Sequence, residues 1–114
     1  MSDSCLFCKI IKGEVPSKMA FETDKIYAFH DIIPQAKTHI LVVHKKHSAN
    51  VIEMSKDPQS IVDVFTAITE YAHSSGLEKT GFRIVTNCGP DAGQTVFHTH
   101  FHILGGEELK RFGN

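Results

Sequence analysis

The 114-residue chain has no tryptophan, only three cysteines and four prolines, and no low-complexity run. An odd, small cysteine count excludes the disulfide framework that staples small secreted domains. Stability must then come from an apolar core, and this length suits one domain, residues 1–114, burying about two-thirds of its unfolded surface. Charge of one sign is also missing: the formal net charge is -1, which argues against a nucleic-acid backbone or an anionic membrane as partner. The basic cluster HKKH (44–47) is too small for that role and reads as a solvated loop. No apolar run reaches the ~20 residues that span a bilayer. MSDSCLFCKII lacks the basic-then-apolar pattern of a signal segment, so the cytoplasm is the expected compartment.

What is present is local pattern. Leu6, Phe7, Ile10 and Ile11 recur at helical spacing, and Gly13 with Pro16 stops a short helix. Residues 19–22 and 26–31 read as strands around a turn at 23–25, and THILVVH (38–44) is the strongest apolar strand. Asp57 is a good N-cap and Pro58 fits the first helical position. Ile61, Val64, Phe65, Ile68, Tyr71 and Ala72 then form one stripe, up to a natural stop at Gly76. Residues 82–87 and 97–104 are the last strands, joined by the turn-rich loop CGPDAGQT (88–95). Strands without regular helix alternation predict an α+β fold: a mainly antiparallel five-stranded sheet with one long and one short helix.

Two clusters carry chemistry. Cys5 and Cys8 form a C-x-x-C pair, either a redox motif or half a metal site. A redox motif wants a preceding strand, and only four residues come before Cys5; a zinc site wants two more ligands, and eight histidines are available. The second cluster is FHTHFHILGG, with His98, His100 and His102 at alternate positions. On a strand these share one face. At ~3.3 Å per residue, His98 and His102 stand about 13 Å apart, too far to converge on one ion with bonds of ~2.0–2.1 Å. Two of them could share a metal; all three could not.

A phosphate site suits the spacing better. A neutral imidazole can attack phosphorus while a neighbour donates to phosphate oxygens, since histidine titrates near neutral pH. Gly89, Gly93, Gln94 and Thr95, in the adjoining loop, supply backbone and side-chain donors for an anion.

Taken together, NCGPDAGQTVFHTHFHILGG resembles the signature of the histidine triad (HIT) nucleotide-binding proteins. CLFCKIIKGEVPSK and AFHDIIPQAKTHILVVHKKH extend the likeness over nearly the whole chain. It looks like the Hint branch, since His102 closes the triad; Thr99 is the one imperfect hydrophobic position. The resemblance implies a homodimer whose sheets join, binding purine nucleotides such as AMP or GMP and their phosphoramidates. It implies His100 as the nucleophile on the α-phosphorus, His102 on the phosphate oxygens, and His39 supporting them from behind. Thr95 falls where the family usually has Ser, a donor to the leaving amine. Asp31 would accept from the ribose hydroxyls, with His30 and Ile32 beside it. Leu6, Phe7, Ile10, Val15 and Leu41 would wall the base, and Asn87, Gly93 and Gln94 would serve the phosphate or ribose. Chains of this kind with an early C-x-x-C resemble a zinc-bearing subgroup, which makes Cys5, Cys8, His47 and His98 a structural zinc set.

The bland readings are Asp31 as a turn residue, Leu6, Phe7, Ile10 and Leu41 as plain core, Asn87 and Gln94 as loop braces, and His30, His44 and His73 as surface residues. The activity implied is purine nucleoside phosphoramidate hydrolysis through a nucleotidyl-histidine, with no catalytic metal. Its rivals are a non-catalytic nucleotide-binding regulatory protein, a dinucleoside polyphosphate hydrolase and a zinc-dependent hydrolase. The ending EELKRFGN departs from the Trp-Pro ending of eukaryotic Hint relatives.

Overall fold

Residues 4–112 are described by a computed structural model. Five strands, β1 (Met19–Glu22), β2 (Ile26–His30), β3 (Thr38–His44), β4 (Phe82–Val85) and β5 (His100–Gly105), form one sheet in the order β1-β2-β3-β5-β4. Every neighbouring pair is antiparallel. The helices are α1 (Leu6–Ile11), α2 (Val51–Met54), α3 (Pro58–Ser75) and α4 (Leu77–Thr80). The α+β architecture and the five antiparallel strands are those the sequence predicts.

Strand alternation gives the sheet two apolar faces. Ile26, Ala28, Ile40, Val42, Phe101 and Ile103 point one way and pack on Val64, Ala67, Ile68 and Ala72 of α3. Full burial of an aliphatic side chain such as Ile40 or Ile103 (each 0% exposed) contributes about 1.5–3 kcal/mol. On the opposite face Tyr27, Phe29, Leu41 and Val43 form a smaller cluster with Phe7 and Ile10 of α1. The candidate site lies on this second face.

Helix α3 starts after Asp57 and stops at Gly76, whose φ of 84° is the left-handed cap that glycine adopts freely. Asp57 holds the N-cap position without capping through its side chain. Its carboxylate instead receives Lys46 Nζ at 2.6 Å and Ser60 Oγ at 3.0 Å.

The two four-residue helices were not expected, being too short to show a period. A signal for α2 was nevertheless present in Asn50-x-x-Glu53: Asn50 Oδ1 accepts from the Glu53 N–H at 3.0 Å, and Glu53 Oε1 reaches one residue past the N-cap to accept from the Ala49 N–H at 2.6 Å, a variant of the capping box. Helix α4 lies tight on β5, where a side chain at Gly105 would meet Leu77 Cδ2 at 2.9 Å.

Three strand ends differ from expectation. β2 stops at His30 because Asp31 Oδ1 accepts from the Ile33 N–H at 2.9 Å and opens a turn. β4 stops at Val85, and Thr86 Oγ1 takes the carbonyl of His100 at 2.8 Å. β5 begins at His100 rather than Phe97, because the groups that would continue the ladder are engaged elsewhere. The carbonyl of His44 accepts from the His98 ring at 2.9 Å, and the Thr99 N–H goes to Ser48 O at 2.8 Å.

Candidate active site and metal centre

His100 and His102 project from the α1 face of β5, with ring centroids 5.3 Å apart. Backbone groups set their tautomers. The Nδ1–H of His100 donates to the carbonyl of His98 at 2.7 Å, because a carbonyl can only accept. Nε2 of His100 is left as a bare lone pair. Behind it, the Gln35 N–H donates to Nδ1 of His39 at 3.1 Å, so the His39 hydrogen is on Nε2. That hydrogen is directed to Nδ1 of His102 at 2.9 Å, with Asp31 Oδ2 at 3.4 Å. His102 therefore carries its own hydrogen on Nε2, as a donor. One ring ends in a nucleophilic nitrogen and its neighbour in an N–H.

Burial favours the neutral form of these rings. It lowers His100 against the opposing pull of its bond to His98 and of Asp31. Burial, then the neighbouring His100 and His39, takes His102 down to about 4. His39 is lowered by burial, with Asp31 opposing. Neutral imidazole is the form that can attack phosphorus.

The second constellation is Cys5, Cys8, His47 and His98, whose ligand atoms all lie within 4.8 Å of one another. Nδ1 of His98 is 3.3 Å from Cys5 Sγ, 3.5 Å from Cys8 Sγ and 3.1 Å from Nδ1 of His47. Tetrahedral zinc, with bonds of ~2.3 Å to sulfur and ~2.0–2.1 Å to nitrogen, needs separations of roughly 3.3–3.6 Å. His98 gives its Nε2–H to the carbonyl of His44 at 2.9 Å, leaving Nδ1 bare as a ligand must be. Burial holds His98 at about 4 and pushes Cys8 up to about 11, Cys5 adding to the rise. A divalent cation at the centre would reverse that penalty on the thiol. The donor set fits zinc.

Asp31, His39 and His102 also bring three ligand atoms within 4.8 Å. Here the chemistry does not fit a metal. Nδ1 of His39 already accepts from Gln35, so binding an ion through Nε2 would require an imidazolate or the loss of that bond. A hydrogen-bond relay from Gln35 through His39 to His102 uses the same atoms without that cost.

Beside the rings is a cavity of about 290 Å³. It brings together Leu6, Phe7, Ile10, Val15, His30, Asp31, Ile32 and Leu41, and it adds Pro16, Ser17, Lys18 and Phe29, which the sequence reading missed. Phe29 could have been found from IYAFH, where both faces of the strand are apolar. Ile32, 93% exposed, sits at the rim. Asp31 is both the expected turn residue and a cavity-lining carboxylate. Asn87 is half-buried beyond β4, and Gly93, at φ 81°, closes the turn at Pro90–Ala92. Thr95 is not in this cavity; it lines an adjoining hollow of about 380 Å³ with Cys5, His47 and Phe97, and Leu6 borders both.

Of the two roles the sequence offers Gln94, ligand donor and loop brace, its hydrogen bonds match the second. Its amide nitrogen donates to Ala49 O at 2.8 Å and Val96 O at 3.1 Å, and its oxygen accepts from the Gly89 N–H at 2.9 Å. Both amide hydrogens are committed, so the side chain braces the loop.

Residues 12–109 match the HIT domain family. The chain belongs to the HIT domain family. It is 41% identical over 110 residues to an uncharacterized HIT-like protein of Synechococcus elongatus, covering 96% of each chain. It is 36% identical to the purine nucleoside phosphoramidase of Escherichia coli, covering 96% of this chain and 92% of that one. Among solved structures, a histidine triad protein from Clostridium difficile matches at 42% identity and TM-score 0.91 over 96% of each chain. A HIT family hydrolase from Clostridium thermocellum matches at 42% identity and TM-score 0.90 over 98% of each chain. In sequence and fold the chain is HIT family hydrolase-like.

Within this HIT fold, His44 corrects the expectation of a surface histidine. It is 5% exposed, its Nδ1 accepts from the Lys46 N–H at 2.9 Å, and its Nε2–H reaches Asp63 Oδ2 at 3.0 Å. HKKH is consequently no plain solvated loop: Lys45 and Lys46 pair with Glu22 and Asp57, and His47 joins the thiols. Thr99, the imperfect hydrophobic position of the HIT signature, is 1% exposed and shares a 2.7 Å hydroxyl bond with Ser48. That bond ties the His47 segment to the His98 segment.

Proposed function

We propose that the chain is a purine nucleoside phosphoramidate hydrolase working through a nucleotidyl-histidine. The observation that carries this reading is the opposed tautomers of the neighbouring rings, a bare Nε2 on His100 beside an N–H on His102. The Nε2 lone pair of His100 attacks the α-phosphorus, and the P–N bond to the amine breaks as that amine takes a proton. Water then attacks the same phosphorus, the bond to Nε2 breaks, and the nucleoside monophosphate leaves. His102 donates to the phosphate oxygens as their charge develops, and His39 holds His102 in the donating tautomer. The name of the Escherichia coli relative supports the substrate class.

The base would lie in the Leu6–Phe7–Ile10–Leu41 cavity, with Asp31 toward the ribose and Asn87 and Gly93 near the phosphate end. Thr95 would face the leaving amine from the adjoining hollow. AMP and GMP are the proposed ligands. Cys5, Cys8, His47 and His98 would hold zinc, which supplies a closed structural link between α1 and the sheet. A homodimer is part of the proposal: β4 is an edge strand with Ile84 37% exposed, a surface that a second copy would cover. Among the described residues no helix is long and apolar enough to cross a membrane, in keeping with the proposed cytoplasmic location.

The test is hydrolysis of adenosine 5′-phosphoramidate by wild type and His100→Ala, before and after a brief chelator treatment. The reading requires loss with His100→Ala, and turnover unchanged by a chelator treatment too brief to strip the Cys5–Cys8–His47–His98 cluster. Tight AMP binding without turnover would replace it with the binding-protein reading.

A further inference from the structure

Helix α1 has only six residues, too few to be stable by itself. It nonetheless carries Leu6, Phe7 and Ile10, three walls of the base cavity. Apolar packing of Phe7 and Ile10 on Tyr27, Phe29, Leu41 and Val43 holds it to the sheet. Among the described residues, the side-chain hydrogen bonds from α1 and its N-cap to the sheet side run through two thiols, Cys5 to His98 and Cys8 to His47 and His98. Thiols are weak hydrogen-bonding groups, so these contacts alone are a loose attachment.

The same cluster reaches His100 by two routes. His98 contributes its ring to the cluster and its carbonyl to the Nδ1–H of His100 at 2.7 Å. Phe7, between the two cysteines in sequence, sets its ring edge-on to His98 and His100, with centroids 6.1 and 5.0 Å away. Displacing His98 or α1 therefore disturbs the tautomer of His100 and the wall of the base cavity together.

We propose that the Cys5–Cys8–His47–His98 cluster is a regulatory metal site: its occupancy by zinc controls nucleotide affinity and the tautomer of His100 without the metal touching substrate. Four metal bonds would replace the weak thiol contacts, fix the main chain at His98, and seat α1 against the cavity. Occupancy and nucleotide binding then become reciprocally coupled, so AMP tightens zinc by the factor by which zinc tightens AMP. Ser48 and Thr99 act here as positioning residues, keeping the His47 and His98 segments in register.

The inference rests on the phosphoramidase reading for its ligand and on the zinc reading for its metal. The experiment measures the AMP dissociation constant by calorimetry in zinc-loaded and metal-stripped full-length protein, then again after zinc is restored. Histidine ring tautomers are read in parallel by two-bond ¹H–¹⁵N spectra, with far-UV circular dichroism to check the fold. Stripping should weaken AMP binding by about 5- to 150-fold, the range usual for coupling between two sites. His100 should pass from one tautomer to a mixture, and zinc should restore both. Unchanged affinity with His100 still protonated on Nδ1 overturns the proposal, as does a wild-type protein that takes up no zinc.

If zinc-loaded protein binds no AMP, the phosphoramidase reading fails, and the ring spectra still decide the coupling. If the stripped chain unfolds, His47→Ala, which keeps three donors, allows occupancy to be graded with buffered free zinc. AMP affinity, or the His100 ring signal, must then follow the zinc-binding curve; curves that do not superimpose overturn the proposal.

Discussion

The carbonyl oxygen of His98 takes the Nδ1 proton of His100 at 2.7 Å. A residue whose ring faces two thiols thus decides which nitrogen of its neighbour is free to react. Alternate histidines of one motif meet different partners because one of them lies outside the strand.

Replacing His100 with alanine removes the bare Nε2. Phosphoramidate turnover should fall by about 10³-fold or more, as when a covalent nucleophile is deleted. AMP binding should largely persist, since no residue lining the cavity is replaced. Single-turnover kinetics and calorimetry on the same preparation check both halves, and denatured wild type quenched during turnover should carry a nucleotidyl adduct that the variant lacks.

His39→Ala frees Nδ1 of His102 from its 2.9 Å partner. His102 would then place its hydrogen on either nitrogen, and kcat should drop by about 10²-fold with little change in KM. His39→Gln, whose amide can still donate, should recover part of the loss. Equal kcat values for the three proteins would remove His39 from the relay.

Stability should fall in mild acid. An unfolded imidazole titrates near 6.5, whereas burial, then His100 and His39, holds His102 at about 4, and His39 is lowered too. Above about pH 6.5 both states are neutral and these rings impose no penalty. Below it the unfolded chain binds protons that the folded chain refuses, so stability is lost as pH falls and the loss levels off near 4. Urea midpoints across this range should show the decline, and His102→Gln should flatten it.

Thr99→Val keeps the shape of the side chain and deletes its hydroxyl. Ser48, 8% exposed, loses the 2.7 Å partner that Thr99 supplies. The cost should be about 1–3 kcal/mol, the penalty of stranding a buried polar group. Chemical denaturation measures it. A neutral or stabilising result would show that Ser48 finds another partner.

Much of this was legible in the residues. Pro58 and Gly76 bound α3 because one is shaped for a first turn and the other for a left-handed stop. THILVVH is a strand because its run of apolar residues is buried on both faces. The ends of β4 and β5 were not legible, since each is decided by a bond to a distant group, Thr86 to His100 O and Thr99 to Ser48 O, whereas β2 ends on the local turn at Asp31 that the residues suggest. His44 was unreadable for the same reason, its partner Asp63 lying nineteen residues away on α3.

By itself the sequence determined two groupings, thiol with imidazole and imidazole beside a glycine-bearing loop, because residue type and spacing limit what a group can do. Strand rise argued against one ion collecting the whole triad, but His98 lies outside β5, and the fold itself sends its ring to Cys5, Cys8 and His47. Only the tertiary structure decided which nitrogen of each ring carries the hydrogen. A tautomer follows from the nearest donor or acceptor, and those partners, His98 O for His100, Gln35 N–H for His39 and His44 O for His98, meet the rings only when the chain folds.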